Sequence, residues 1–130
     1  MVTSGKHPLR GVTIHPTVLV THNRFIGNTR EQCTVAGEPV LGGAPEDIAA
    51  GGWGVCEDIG STLITTGAAI PLIAGVAGTQ YAWVQTDAAG MAIPWAGGAA
   101  NTAGKIFVAA IGPGELTEVH LESKAAPLIP

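Results

Sequence analysis

Three of the four histidines lie near the start of this 130-residue chain, where imidazole groups could bind a metal or transfer protons. His7, His15 and His22 follow one another at intervals of eight and seven residues, and the first 30 residues contain no carboxylate to orient them. Metal sites more often use ligands about two to five residues apart. We therefore expect surface histidines, with a small His-based metal protein as an alternative.

The fourth histidine and the acidic pairs offer no better catalytic pattern. His120 lies between Glu118 and Glu122 on the polar face of a predicted strand, which a solvated surface explains as well as an acid–imidazole cluster. The pairs at 46–47 and 57–58 are adjacent in sequence, so on a strand their carboxylates point to opposite faces. That arrangement does not favour a shared acid–base role.

The glycine-rich stretch 98–105 does not fit a phosphate-binding loop. Five residues separate Gly98 from Gly104 where that loop has four, and Ile106 stands where Ser or Thr would hold magnesium. The sequence also lacks a Gly-x-Ser-x-Gly nucleophile elbow. We expect a protein that is not an enzyme, with no catalytic residue, no cofactor and no metal.

The elements that must position any site are short strands joined by small-residue turns. An apolar strand, a turn built on Gly and a second strand recur in residues 40–59, 73–86 and 107–121. Many short strands separated by turn signals are typical of barrels and sandwiches. We predict an all-β fold, a small β-barrel or β-sandwich with Gly-rich hairpins and little helix.

Individual elements can be placed from the same signals. Asp87 followed by Gly90 predicts a tight turn, and Pro45 with two acids behind it predicts one helical turn over residues 45–50. Core packing is expected for Trp53 and Trp83, and exposure for Trp95. The predicted strands are 40–41, 54–57, 61–65, 81–86, 91–93, 105–110 and 116–122.

Charge is unevenly distributed along the chain. The first 30 residues hold four of the six basic residues, and all ten acids lie in the remaining 100. Such asymmetry indicates a basic arm on an acidic body. We predict an extended N-terminal arm over residues 1–35, a β-barrel domain over 36–122 and a C-terminal tail over 123–130.

The arm and one tryptophan supply the residues expected to bind a partner. The β-branched residues of the arm nearly alternate along the chain and could add a strand to a neighbour's sheet, although Pro16 interrupts the pattern. Arginines could pair with acidic groups of the partner, and an exposed tryptophan could anchor an interface. The predicted partner-binding residues are Arg10, Val12, Ile14, Val18, Val20, Arg24, Arg30 and Trp95.

Several classes of partner are disfavoured. Residues 31–100 contain no Lys or Arg, which argues against direct binding of nucleic acid. The longest apolar stretch, 67–78, is interrupted by Pro71 and is too short to cross a bilayer, so no membrane partner is expected. Cys33 and Cys56 are expected to be reduced and buried in an intracellular product.

Residues 40–57, 87–94 and 109–121 together resemble the small decoration, or cement, proteins of tailed-phage capsids. The resemblance rests on Val-Leu-Gly-Gly-Ala with the later Ala-Ala-Gly-Gly, on the hairpin Asp-Ala-Ala-Gly-Met-Ala-Ile-Pro, and on the closing Gly-Glu-Leu-Thr-Glu-Val-His-Leu. It covers residues 40–122 and leaves 1–35 unmatched.

The resemblance implies a virion protein made in the cytoplasm of the bacterial host and placed on the capsid exterior. Such proteins bind the major capsid protein, stabilise contacts between its subunits and often form homotrimers, without catalytic residues. A phage tail, baseplate or head–tail adaptor built on a similar barrel stays an alternative.

Overall fold

The computed structural model describes residues 11–74 and 80–122, which form ten strands and contain no helix. This confirms the predicted all-β class. The strands are β1 (Gly11–Ile14), β2 (Phe25–Gly27), β3 (Val40–Gly43), β4 (Gly54–Glu57), β5 (Ser61–Thr65), β6 (Ile73–Ala74), β7 (Gln80–Thr86), β8 (Ala92–Pro94), β9 (Gly104–Ile106) and β10 (Leu116–Leu121).

The first sheet is made by the part of the chain before residue 58, in the order β1-β4-β3-β2. β1 and β4 are antiparallel, with Val12 opposite Cys56 and Thr13 opposite Val55. Because successive side chains on a strand point to opposite faces, Ile14 and Cys56 enter the core while Thr13 and Val55 face outward.

The second sheet follows in the chain and has the order β5-β10-β9-β7-β6, with β8 also paired to β7. β5 and β10 are antiparallel, with Val119 opposite Thr62 and Glu118 opposite Leu63. Val119 and Thr62 face the core, and Glu118 and Leu63 face outward. At Gly104 in β9 a Cβ would collide with the backbone of β10, so glycine allows this close strand approach.

Two clusters of buried side chains fill the interior. The larger lies against the second sheet and includes Phe25, Cys33, Ile64, Ile70, Val84, Ile106 and Val119. The smaller belongs to the first sheet and contains Ile14, Val20, Ile26, Ala44, Ile48 and Cys56. Burying one such aliphatic or aromatic side chain contributes roughly 1.5–3 kcal/mol, so these clusters stabilise the fold and hold the surface strands in place.

Residues 11–35 are part of this β domain, which corrects the expectation of an extended arm for the portion the structure describes. Phe25 and Cys33 are fully buried in the larger cluster. The backbone N–H groups of Val20 and Ile48 each donate to the other's carbonyl oxygen at 2.9 and 3.0 Å, and this bridge replaces the helical turn predicted for 45–50. Residues 1–10 and 123–130 lie outside the described residues.

The turn predicted at residues 87–90 is confirmed and connects β7 to β8. The Asp87 carboxylate accepts hydrogen bonds from the backbone N–H groups of Ala89 and Met91, both at 2.8 Å. Gly90 adopts a φ of 81°, the left-handed region that glycine enters without strain. The sequence therefore fixes this hairpin through one acid and one glycine.

Candidate functional site

The β-branched residues predicted to bind a partner strand mostly lie in the core. Ile14 and Val20 are 1% and 0% exposed, and Val12 is half-buried against the same cluster. The edge strand that contains Val12 and Ile14 pairs with β4 of its own sheet. These side chains stabilise the first sheet, and Ile14 and Val20 have no surface to offer to a partner.

Arg24 and Trp95 are also held within the fold. The Arg24 Nη1 donates to the Ala89 carbonyl oxygen at 3.0 Å, which ties the residue before β2 to the β7–β8 turn. The Trp95 Nε1 donates to the Ala100 carbonyl oxygen at 2.9 Å, and its side chain is half-buried. Trp95 is therefore less exposed than its loop position predicted.

The remaining predicted residues lie at the surface or outside the described ranges. Val18 is exposed, and its backbone N–H, like that of Thr17, donates to the Glu31 carboxylate. The Thr17 backbone bond is the main reason that the pKa of Glu31 is lowered. Arg30 is exposed and has a φ of 69°, while Arg10 lies outside the described residues.

The histidines do not converge on one site. The His22 Nδ1 lies 2.7 Å from the Asp47 carboxylate. Hydrogen bonds from the His22 ring and from the His22 backbone N–H lower the pKa of Asp47. His120 lies near Glu118 on the outer face of β10, and His7 is outside the described residues. Within the described ranges, no group of three or more His, Cys, Asp or Glu residues is arranged to hold a metal ion.

Both cysteines are free, buried thiols, as the sequence predicted. Burial raises the pKa of Cys33 and of Cys56 to about 12 each, because an apolar environment disfavours the thiolate. Nucleophilic and redox cysteines need the thiolate at neutral pH. These two side chains therefore act as small core residues.

An exposed apolar surface surrounds the bridge between Ile70 and Ala110. These two residues are buried, and their backbones hydrogen bond to each other at 2.9 and 3.1 Å. The neighbouring side chains point outward, and Val108 and Ile111 are 77% and 87% exposed. We name this surface the apolar tip; it consists of Ala69, Pro71, Val108, Ala109 and Ile111.

The sequence around the apolar tip carries almost no charge. Residues 59–86 and 106–114 contain no Asp, Glu, Lys or Arg. The nearest carboxylate, Glu115, accepts hydrogen bonds from the backbone N–H groups of Ile111 and Gly112 and is used within the loop. Exposed apolar side chains grouped in this way make the tip a candidate surface for protein–protein contact.

A second surface lies beside the first sheet and is centred on Trp53, which is 71% exposed. Its indole ring stacks on the His15 ring with centroids 4.0 Å apart and planes 16° apart. The His15 Nδ1 in turn lies 2.8 Å from the Gly52 carbonyl oxygen. The sequence placed Trp53 in the core, and the structure instead shows an indole that is oriented by a neighbouring ring and open to solvent.

Trp53 forms one wall of a groove of about 410 Å³. We name it the Trp53 groove; its other walls include Pro45, Val55 and the carboxylates Glu46, Asp47 and Glu57. An adjoining cavity of about 330 Å³ shares Pro45 and Glu57 and extends to Leu63 and Glu118 on the second sheet. Neither Lys nor Arg is among the lining residues of the two cavities.

The described residues contain no helix that could serve as a membrane span. The fold and its surfaces thus define a small all-β domain of two sheets with exposed apolar and acidic regions.

Comparison with known proteins gives a match in structure alone. No protein-family model matches the chain, and no curated protein matches its sequence. Its fold is similar to that of the head fiber gp8.5 N base of bacteriophage phi29, with a TM-score of 0.65. The match covers 90% of this chain and 97% of that chain at 14% sequence identity, so it is a likeness of fold.

Proposed function

We propose that this chain is a structural virion protein that binds the outer surface of a phage head. The observation that carries the proposal is the fold shared with the head fiber gp8.5 N base of phi29 over nearly the full length of both chains. The decoration-protein resemblance of residues 40–122 supports the same role. In this role the chain contacts the major capsid protein and stabilises contacts between its subunits, without enzymatic activity.

The apolar tip supports a role based on protein–protein contact. Burying its aliphatic side chains against an apolar partner is favourable, and no charged group of the tip would have to be desolvated. Virion proteins are usually arranged symmetrically, and closed homo-oligomers bury such surfaces between copies. We propose a homotrimer in which the tip packs against another copy.

The test has two parts that use the purified protein. Light scattering measures the mass of the protein in solution, and sedimentation with empty phage heads measures binding to the shell. A trimer that sediments with intact heads, and not with isolated tails, is the expected result. A monomer that stays in the supernatant, or a ring that binds tails, would show that the proposal is wrong.

A further inference from the structure

The Trp53 groove combines an exposed indole face with carboxylates in one concave surface. Glu46, Asp47 and Glu57 line it together with Trp53. The adjoining cavity, reached past the shared Glu57, adds Glu118. Because this lining carries carboxylates and no Lys or Arg, we expect a negative potential in the groove.

The geometry points to a binding site for the guanidinium or ammonium groups of a basic peptide segment of a partner protein. Arg and Lys side chains stack on the face of tryptophan more favourably than on any other ring, and Arg also forms paired hydrogen bonds with carboxylates. The groove offers both kinds of contact within one cavity of about 410 Å³. The proposed role on the phage head does not use this site.

The indole ring of Trp53 is already oriented before any ligand binds. The stack on His15 occupies one face of Trp53, and the side chain remains 71% exposed. The His15 ring is itself fixed by its contact with the Gly52 carbonyl. A ring that is already oriented loses little conformational entropy when a ligand binds, which favours binding at this position.

The carboxylates differ in how freely they can accept a ligand. Glu46 is exposed and has no hydrogen bond or ion pair with any other residue that the structure describes. Glu57 accepts one hydrogen bond from the Thr62 hydroxyl at 2.8 Å, and Asp47 accepts two from His22. Each carboxylate offers about four lone-pair positions, so Glu46 and Glu57 retain acceptors for an incoming cation.

This site does not depend on attachment to a phage head, so it is tested on the purified full chain. Isothermal titration calorimetry measures binding of a blocked tetra-arginine peptide, with a blocked tetra-glutamine peptide and a neutral tetrasaccharide as comparison ligands. We expect tetra-arginine to bind and the other two ligands not to bind. Raising the salt concentration from about 0.05 M to about 0.5 M should weaken the binding severalfold, because the contacts are exposed charges.

Four variants locate the site. Glu46→Gln and Glu57→Gln should each weaken tetra-arginine binding roughly two- to fivefold, the range for exposed charge pairs. Trp53→Ala should weaken it by a similar factor through the lost ring face. Glu122→Gln, a carboxylate that lines neither cavity, is the matched control and should leave the affinity unchanged.

Three outcomes would overturn the site. Equal losses of tetra-arginine affinity in Glu46→Gln and Glu122→Gln would show a general effect of net charge. Binding of the tetrasaccharide without tetra-arginine would show a sugar site, and self-association that depends on Glu46 and Glu57 without peptide binding would show a second copy as the occupant. Because Glu46 makes no hydrogen bond to the rest of the described fold, its variant stays informative even if Glu57→Gln unfolds.

Discussion

The apolar tip and the Trp53 groove are both open to solvent, and they differ in the forces they can use. The tip presents aliphatic side chains such as Val108 and Ile111 in a part of the sequence without charge. The groove presents one indole ring and several carboxylates. Contact at the tip would gain from removing apolar area from water, whereas contact at the groove would depend on electrostatics. One small β domain therefore carries two surfaces that respond differently to salt and to substitution.

The largest expected effect comes from breaking the framework that both surfaces share. Phe25 lies in β2 of the first sheet, yet its fully buried ring belongs to the cluster against the second sheet. Phe25→Ala should lower the free energy of unfolding by about 3–5 kcal/mol, since it removes a buried ring and leaves a cavity. Urea unfolding followed by circular dichroism measures the loss.

This variant also decides whether the two surfaces belong to one cooperative unit. If they do, self-association and tetra-arginine binding disappear together as Phe25→Ala unfolds. The control is Val35→Ala, in the exposed loop between β2 and β3, which should cost well under 1 kcal/mol. Loss of binding at only one surface would separate the two sheets into independent units.

The second prediction breaks the apolar tip alone. The double variant Val108→Lys with Ile111→Lys should weaken self-association more than tenfold, because truncating or charging central interface residues typically costs about 2 kcal/mol or more. Both side chains are highly exposed, so the unfolding free energy should stay within about 0.5 kcal/mol of the unmodified protein. Light scattering over a range of concentrations measures the association.

The control for the tip makes one substitution of the same kind, valine to lysine, elsewhere on the surface. Val35→Lys places one positive charge at a residue that is 61% exposed and outside the tip. It should leave the mass unchanged. If Val35→Lys dissociates the protein as well, added charge rather than the tip explains the result.

More of the strand framework than of the two exposed surfaces could be predicted from the sequence. β4 and β5 have the predicted bounds, because their apolar and β-branched residues lie between clear Gly turns. β2 was missed, since Phe25 and Ile26 stand between polar residues and only distant strands bury them. Local pattern carries no information about such long-range partners.

The surfaces escaped prediction for the same reason. Trp53 is a large aromatic residue of the kind usually found in a core. In the structure it lies just before β4, which pairs with β1, and His15, just after β1, covers one face of its ring. The Trp53 groove is lined by residues between 45 and 57, and the adjoining cavity gains Leu63 and Glu118 only when the two sheets meet. By contrast, the missing charge around the apolar tip was visible in the sequence.

The third prediction sharpens the contrast through salt. Between about 0.05 M and about 0.5 M salt, tetra-arginine binding at the Trp53 groove should weaken severalfold because screening shortens the range of exposed charges. Association through the apolar tip should hold or strengthen slightly, since it involves no charge pair of the tip. Calorimetry and light scattering on the same samples measure the two responses, and parallel weakening would contradict the separation of the surfaces.

The smallest expected effect concerns the groove's own electrostatics. Hydrogen bonds from His22 hold the pKa of Asp47 below its ordinary value. A carboxyl whose folded pKa is lowered stabilises the fold above its unfolded pKa of about 3.9, and this contribution is lost as the pH falls through the folded pKa. Asp47→Asn should therefore be slightly less stable than the unmodified protein at neutral pH, and the difference should disappear in acid.

Urea midpoints measured at neutral pH and at successively lower pH values test this, with Glu46→Gln as the neighbouring control. Glu46 has no hydrogen bond within the described fold, so its removal should not reproduce the pH dependence. A difference between Asp47→Asn and the unmodified protein that persists in strong acid would assign the effect to packing instead of the His22–Asp47 pair. In that case packing, and not the ion pair with His22, would hold this wall of the Trp53 groove in place. The negative charge of Asp47 would then contribute to ligand binding and not to stability.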